Sequence, residues 1–363
     1  MSARAAIERE LLAWMRDEPQ RDEEVRFERL ALELFAFQFE ANLPYGRFCA
    51  TRGATPASVR SWREIPAVPT GAFKELPLRC FPAERSIHVF RTSGTSLARR
   101  GELQLDTLEL YEASLQPSFE RGVLPDLAPG EHLPMLVLAA SPAEAPDSSL
   151  SHMFGVIFER RAAPGSGFFL RKGELAVDAL LAALAEAAHS PKLLLCGTAF
   201  AFVHWLEALE QRGLRLSLPS GTRIMETGGA KGRTRELPRE QLHAWLGDRL
   251  GVPSERIVNQ YGMTELGSQF YDSVLHDPAR PRRKLAPAWA RVRVVDPESE
   301  RESSAGTVGA LRIVDLANTG SVLAIATADL GLCSGDGFEV LGREAGAEAR
   351  GCSIAADEML AGA

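Results

Sequence analysis

Four segments carry residue types whose spacing could do chemistry. Phe90-Arg91-Thr92-Ser93-Gly94-Thr95-Ser96 sets four hydroxyls around one glycine, directly after a strand candidate. Such a loop offers hydroxyls and backbone N–H groups to phosphate oxygens, and the glycine lets the backbone come close. Arg99 and Arg100 can add charge-assisted bonds to the same anion, although the run taken alone also reads as a solvated turn. Asn259-Gln260-Tyr261-Gly262-Met263-Thr264-Glu265 ends another strand candidate, where open α/β sheets place their ligands. Glu265 there suits a divalent cation bridging phosphates, or equally a helix N-terminus that favours an acidic residue. Thr227-Gly228-Gly229-Ala230-Lys231-Gly232 suggests close backbone approach to a flat or anionic ligand, against a plain tight turn with a solvated lysine. In Thr327-Ala328-Asp329-Leu330-Gly331 the carboxylate of Asp329 could accept both hydroxyls of a ribose from a strand end, or merely close an Asp turn. Arg343 follows 14 positions later.

Other chemistries lose support. The chain has no G-x-x-x-x-G-K-[ST], G-x-G-x-x-G, H-E-x-x-H or G-x-S-x-G. Its five cysteines, Cys49, Cys80, Cys196, Cys333 and Cys352, are spaced by 31, 116, 137 and 19 positions, with no C-x-x-C pair, which argues against zinc. A net charge of -7, without a Lys/Arg block, leaves no nucleic-acid footprint. The charged N-terminus lacks the apolar core of a signal peptide, so a cytoplasmic protein with reduced thiols is expected. The longest uncharged apolar stretch, Leu193 to Leu206, is 14 residues, short of the roughly 20 that span a bilayer, so no membrane insertion is expected.

The elements that would hold these segments emerge from hydrophobic periodicity. Residues 1–42 read as two amphipathic helices, and Asn42 to Pro82, with six of the 22 prolines, as irregular connections and short helices. Strands are predicted at Ile87–Phe90 and Glu102–Leu105, and a helix at Thr107–Phe119. Strands at 133–140, 192–196, 222–226 and 256–260 alternate with helices at 175–188, 200–211 and 239–250, which predicts parallel strands with crossover helices and an α/β fold. From Ala290, RVRVVD, GALRIVD, SVLAIATADL and GFEVLGR read as a small antiparallel group separated by glycine-rich turns.

The order of TSGTS, METGGAKGRTRELPREQL, VNQYGMTELGSQFYD, TADLG and GREAGAEARGCS resembles the adenylate-forming enzymes, and within them the LuxE-like acyl-protein synthetases (long-chain fatty acid-protein ligases), from about Pro66 to the C-terminus. YGMTELGSQFYD with GGAKGR is specific to the LuxE-like branch; TSGTS and TADLG belong to the wider superfamily. The resemblance implies an adenylate-forming N-terminal-domain-like fold: layered sheets with helices plus a small β subdomain, without the full C-terminal domain. It divides the chain into a helical cover (1–65), an α/β nucleotide- and acyl-binding core (66–285), a small β subdomain (286–343) and a tail with the acceptor cysteine (344–363). It further implies that Thr92, Ser93, Gly94, Thr95 and Ser96 form the ATP phosphate loop, aided by Arg100, and that Gly228, Gly229 and Ala230 pack beside adenine. Tyr261 and Gly262 line the base, Thr264 contacts the acyl phosphate region, Glu265 binds Mg²⁺, and Asp329 and Arg343 hold ribose and hinge.

The implied activity is ATP-dependent activation of a fatty or other hydrophobic carboxylate to acyl-AMP, and transfer to a protein cysteine with an acyl-reductase as partner. An acyl- or aryl-CoA ligase and a non-catalytic scaffold subunit are the alternatives. Two departures matter: Leu97, Arg99 and Arg100 stand where the superfamily's loop continues with glycine, proline and lysine, and only 20 residues follow Arg343, where a domain of about 100 usually brings a catalytic lysine. Lys231, framed by Gly229 and Gly232, is expected to substitute for that lysine. Cys352, among small residues and near Arg350, is expected to be the acyl acceptor; it lies nine positions beyond Arg343, about 30 Å if extended.

Overall fold

A computed structural model describes residues 3–17, 19, 22–93, 99–228, 237–343 and 359. They form two compact units: the described residues of Met1–Ser118, Met263–Phe270 and Arg283–Ala363, and those of Phe119–Gly262 and Tyr271–Arg282. The chain is of mixed α/β class, as its alternating pattern predicts.

The first unit begins with α1 (Ala3–Asp17) and α2 (Glu24–Ala41), both amphipathic. They bury Ile7, Leu11, Trp14 and Met15, and Phe27, Leu30, Leu34 and Phe35, at the spacing that puts one face of a helix into a core. α3 (Leu43–Thr51) forms inside the proline-bearing stretch because its proline, Pro44, occupies the first turn, where a missing N–H costs nothing, and the Asn42 side chain caps the Tyr45 N–H. After β1 (Val68–Pro69) and the single turn α4 (Ala72–Glu75), β2 (His88–Arg91) and β3 (Glu102–Leu105) pair as an antiparallel hairpin. α5 (Glu109–Val123) follows, of which the first unit holds the residues up to Ser118.

The second unit holds β4 (Met135–Leu138), α6 (Ser149–Arg161), β5 (Gly167–Phe168), the hairpin β6 (Leu170–Arg171) and β7 (Glu174–Leu175), α7 (Val177–Ala187), β8 (Leu194–Thr198), α8 (Ala199–Gln211), β9 (Arg223–Thr227), α9 (Arg239–Leu250), β10 (Ile257–Tyr261) and β11 (Phe270–Asp272). Five strands run parallel in the order β5-β4-β8-β9-β10. β4 is buried at every position, and its Met-Leu-Val-Leu run is what a parallel strand covered on both faces requires. Trp205, Leu206 and Leu209 of α8, Leu242, Leu246 and Leu250 of α9, and Leu180 and Leu184 of α7 share one core with it. The strand-to-helix junction at β8–α8 needs no linker: Thr198 ends the strand and its hydroxyl accepts the Ala201 N–H at 3.1 Å. Gly251 ends α9 in the left-handed conformation, φ 70°. These parallel strands place the ends of β9 and β10, with Thr227 and Gln260 side by side, where ligands bind in such sheets.

The chain then returns to the first unit with β12 (Lys284–Leu285), β13 (Ala290–Val295), β14 (Gly309–Asp315), β15 (Ala324–Ser334) and β16 (Gly337–Arg343). β13, β14, β15, β16 and β12 lie antiparallel in that order, and β1 joins β15 in parallel. The amide of Gln38, fully buried, ties α2 to the loop after β14: it donates to the Asn318 carbonyl at 2.8 Å and accepts the Leu323 N–H at 2.8 Å.

Candidate functional site

The hydroxyl-rich run is the connection of the β2–β3 hairpin. Its neck is closed by Thr92, whose N–H donates to the Gly101 carbonyl at 2.9 Å and whose hydroxyl accepts the Gly101 N–H at 2.9 Å. Arg100 Nε donates to the Thr92 carbonyl at 2.6 Å and its Nη2 to the Arg91 carbonyl at 3.2 Å. Arg99 reaches Glu75 at 3.4 Å. The two arginines expected beside an anion are therefore engaged with the chain itself, Arg100 as a clasp across the neck. Ser93 is exposed at the start of the connection. Gly94, Thr95 and Ser96 lie outside the described residues.

At the ends of β9 and β10, within the second unit, a buried polar cluster stands beside Gly228. Glu226 is 1% and His243 5% exposed. Glu226 Oε1 is 3.0 Å from His243 Nε2 on α9 and accepts Asn259 Nδ2 on β10 at 2.7 Å. A Cβ on Gly228 would lie 3.9 Å from Asn259 Nδ2, so the cluster lies against the first glycine of the segment. Gly228 and Tyr261 occupy neighbouring strand ends; Gly229, Ala230 and Lys231 fall outside the described residues. Asp272 of β11 accepts the Asn259 N–H at 3.0 Å and a bond from Arg282, which fixes β10 from its other side.

Thr264 and Glu265, in the first unit, sit in a turn closed by the Leu266 N–H on the Met263 carbonyl at 3.2 Å, not at the start of a helix. Glu265 is 6% exposed. Asp329, whose motif points to a strand end or an Asp turn, lies inside the eleven-residue β15, its N–H on the Thr327 hydroxyl at 3.1 Å. Arg343, last residue of β16, is its register partner, with Nε 3.6 Å from Asp329 Oδ1. Cross-strand pairing, which sequence distance hides, brings these two residues together.

Among the described residues no group of three His, Cys, Asp or Glu side chains could hold a metal by itself. Magnesium keeps several waters and binds through one or two carboxylates plus substrate phosphates, so a single buried carboxylate such as Glu265 fits a cation that arrives with a nucleotide. Cys352 lies outside the described residues. Burial pushes the Cys49 and Cys80 thiols up to about 12, Cys196 well above its ordinary value, and Cys333 upward too.

Residues 7–361 match the family model described as acyl-protein synthetase, LuxE. The chain belongs to that family. It is 22% identical over 309 residues to the long-chain-fatty-acid–luciferin-component ligase of Aliivibrio fischeri, an alignment covering 84% of this chain and 78% of the relative. Among solved structures it is similar to 2-hydroxyisobutyryl-CoA ligase in an open conformation with 2-HIB-AMP and CoA, with a TM-score of 0.62, 16% identity, and coverage of 91% of this chain and 75% of that one. The same ligase in its thioesterification state gives a TM-score of 0.63 at 16% identity, covering 88% and 69%. The fold of this acyl-protein synthetase family member is thus that of adenylate-forming ligases. No helix among its described residues is long and apolar enough to cross a membrane.

The family motifs do not point to the residues that support them. Asn318 Nδ2 donates to the Glu265 carbonyl at 2.9 Å, and Ser114 donates to the Gly267 carbonyl. Asp315 Oδ1 accepts the Ser268 hydroxyl at 2.7 Å and the Ala317 N–H at 3.1 Å, while Trp289 Nε1 donates to Ser268 Oγ at 3.0 Å. Burial pushes the Asp315 carboxyl up to about 6, with the Ser268 hydroxyl and neighbouring backbone N–H groups offsetting part of that rise. A polar residue inside a strand-to-loop junction, as in VDLANTGS, is the signal that marks Asp315 and Asn318 in retrospect.

Proposed function

We propose that this acyl-protein synthetase family member is an ATP- and Mg²⁺-dependent acyl-protein ligase. A fatty or other hydrophobic carboxylate attacks the α-phosphate of ATP, the bond to the β-phosphate oxygen breaks, and pyrophosphate leaves with that electron pair. The thiolate of Cys352 then attacks the acyl carbonyl, and AMP leaves to give a thioester. Activation is needed because a carboxylate oxygen is a poor leaving group, and catalysis is positioning and charge stabilisation. The observation that carries this reading is Glu265: a nearly solvent-free carboxylate on a turn just after a parallel strand, in a chain of this family.

In this reading Thr92, Ser93, Gly94, Thr95 and Ser96 receive the phosphates, with Arg100 keeping the hairpin neck closed beneath them. Gly228, Gly229, Ala230, Tyr261 and Gly262 accommodate the base, and Asp329 with Arg343 the ribose. Glu265 holds magnesium, which when bound with the nucleotide offsets phosphate charge. Thr264 and Lys231 donate to the oxygens on which charge develops. The acyl-cysteine then serves an acyl-reductase partner. Carboxylate-dependent ATP–pyrophosphate exchange and intact mass after incubation with MgATP and a carboxylate panel test this. Exchange plus a hydroxylamine-sensitive acyl adduct on the Cys352 peptide is expected, and Glu265→Gln should lose most of the exchange, since an amide is a poor ligand for a hard cation. Acyl-CoA formation without an adduct would move the acceptor to coenzyme A, and the absence of exchange with every acid would refute adenylation.

A further inference from the structure

Residues 262–269 carry Thr264 and Glu265 but contain no regular secondary structure. Glu265, Leu266, Ser268 and Gln269 are nevertheless 6%, 1%, 1% and 5% exposed. A buried irregular segment has to satisfy its backbone from outside itself. Here the partners come from two places in the first unit, α5 and the end of β14 with the loop after it. Asn318, after β14, donates to the Glu265 carbonyl; Ser114, on α5, donates to the Gly267 carbonyl; Asp315, at the end of β14, accepts backbone N–H groups of Gly267 and Ser268 as well as the Ser268 hydroxyl. Packing adds a close approach, since a Cβ on Gly267 would lie 3.0 Å from the Ala317 carbonyl carbon.

Asn318 is itself held on every side. Its Nδ2 also donates to the Val322 carbonyl at 2.9 Å, its backbone N–H to the Asp315 carbonyl at 3.2 Å, and its carbonyl accepts Gln38 Nε2 at 2.8 Å. With 2% exposure it has no solvent to exchange these bonds against. An amide locked in this way fixes the peptide of Glu265 before any ligand arrives, which is how a site avoids ordering its own backbone on binding.

We infer that Asn318 is a positioning residue for Glu265, holding the turn from which that carboxylate serves the nucleotide-bound cation. The inference rests on the reading of Glu265 proposed above; the hold on the turn does not. A purely stabilising asparagine would lower the melting temperature and leave the turn's local order and the cation dependence as they are.

Hydrogen–deuterium exchange of the 263–270 peptide in the ligand-free protein separates these cases. Asn318→Ala should exchange at least tenfold faster at residues 264–268 than the parent. Asn42→Ala removes a donor to the Ser321 carbonyl of the same loop and should leave that peptide unchanged. Ser114→Ala, which frees the other end of the turn, should accelerate it by a smaller factor and stands in if Asn318→Ala does not fold. Equilibrium binding of Mn²⁺·ATP, read by electron paramagnetic resonance, should weaken fivefold or more in Asn318→Ala, in the same direction as in Glu265→Gln. Unchanged exchange in Asn318→Ala, or equal acceleration in Asn42→Ala, overturns the inference. Accelerated exchange with Mn²⁺·ATP binding intact in both Asn318→Ala and Glu265→Gln instead overturns the cation reading and leaves Asn318 as the clamp of the turn.

Discussion

Asp315 is a fully buried carboxylic acid whose surroundings say which protonation state the fold prefers. Burial raises Asp315 from its ordinary value of 3.8 to about 6, so the folded protein favours its protonated form more than the unfolded chain does. Its contribution to stability is accordingly complete below pH 4 and is lost as pH rises through 6, amounting to about 3 kcal/mol over that window. Urea unfolding from pH 3.5 to 7 should show this component, and Asp315→Asn should remove it; an identical pH slope in the variant would place the titration elsewhere. Thiols obey the same burial rule. With Cys49 and Cys80 at about 12 and Cys196 higher still, little thiolate exists at pH 8 on these three residues. Iodoacetamide at that pH should modify Cys352 first, as peptide mass mapping would show, and preferential labelling of Cys49, Cys80 or Cys196 would contradict the burial argument.

At the scale of elements, Glu226, His243 and Asn259 join β9, α9 and β10 through polar groups closed off from water. Removing one partner from such a cluster leaves another unsatisfied, so His243→Ala should cost about 3 kcal/mol, visible as a lower urea midpoint with an unchanged slope. The elements themselves are largely legible in the sequence. α9 falls at 239–250 as predicted, because its periodic leucines are bounded by a proline before and a glycine after. The parallel strands announce themselves as apolar runs because both their faces are covered. α6 escapes periodicity: it buries Ser151 and Arg161 among its apolar positions, which blurs the helical period. Asp329 reads by type as a strand-end or turn residue, and pairing with β16 reveals it as mid-strand. The support of the Glu265 turn is invisible for another reason. Ser114, Gly267 and Asn318 become neighbours through tertiary closure, and no local pattern encodes a partner more than fifty positions away.

For the molecule as a whole, chain order and spatial order disagree. One unit gathers three stretches of sequence and the other two, so the first residues pack with the last strands of the chain. Gln38 shows what this asks of a single side chain: it bonds to Asn318 and Leu323, some 280 positions away, from a fully buried site. Gln38→Leu keeps the volume but leaves the Leu323 N–H and the Asn318 carbonyl without that partner, which should destabilise the protein by about 2 kcal/mol. The melting curve checks it, and a neutral result would mean that the loop rearranges to satisfy both groups. The same loop supplies Asn318 to the Glu265 turn, so the N-terminal helices and the motif turn share one support.

The clasp at the neck of the β2–β3 hairpin has a bearing on descent as well as on folding. Thr92, Arg100 and Gly101 close the neck from positions flanking the connection, so the register of the two strands is secured by residues outside positions 94–98. Variation within those five positions is then screened by selection for what the connection does, separately from selection for whether the hairpin forms. In the reading proposed above, where the connection receives the phosphates, a lineage can revise that grip and inherit the surrounding architecture unchanged.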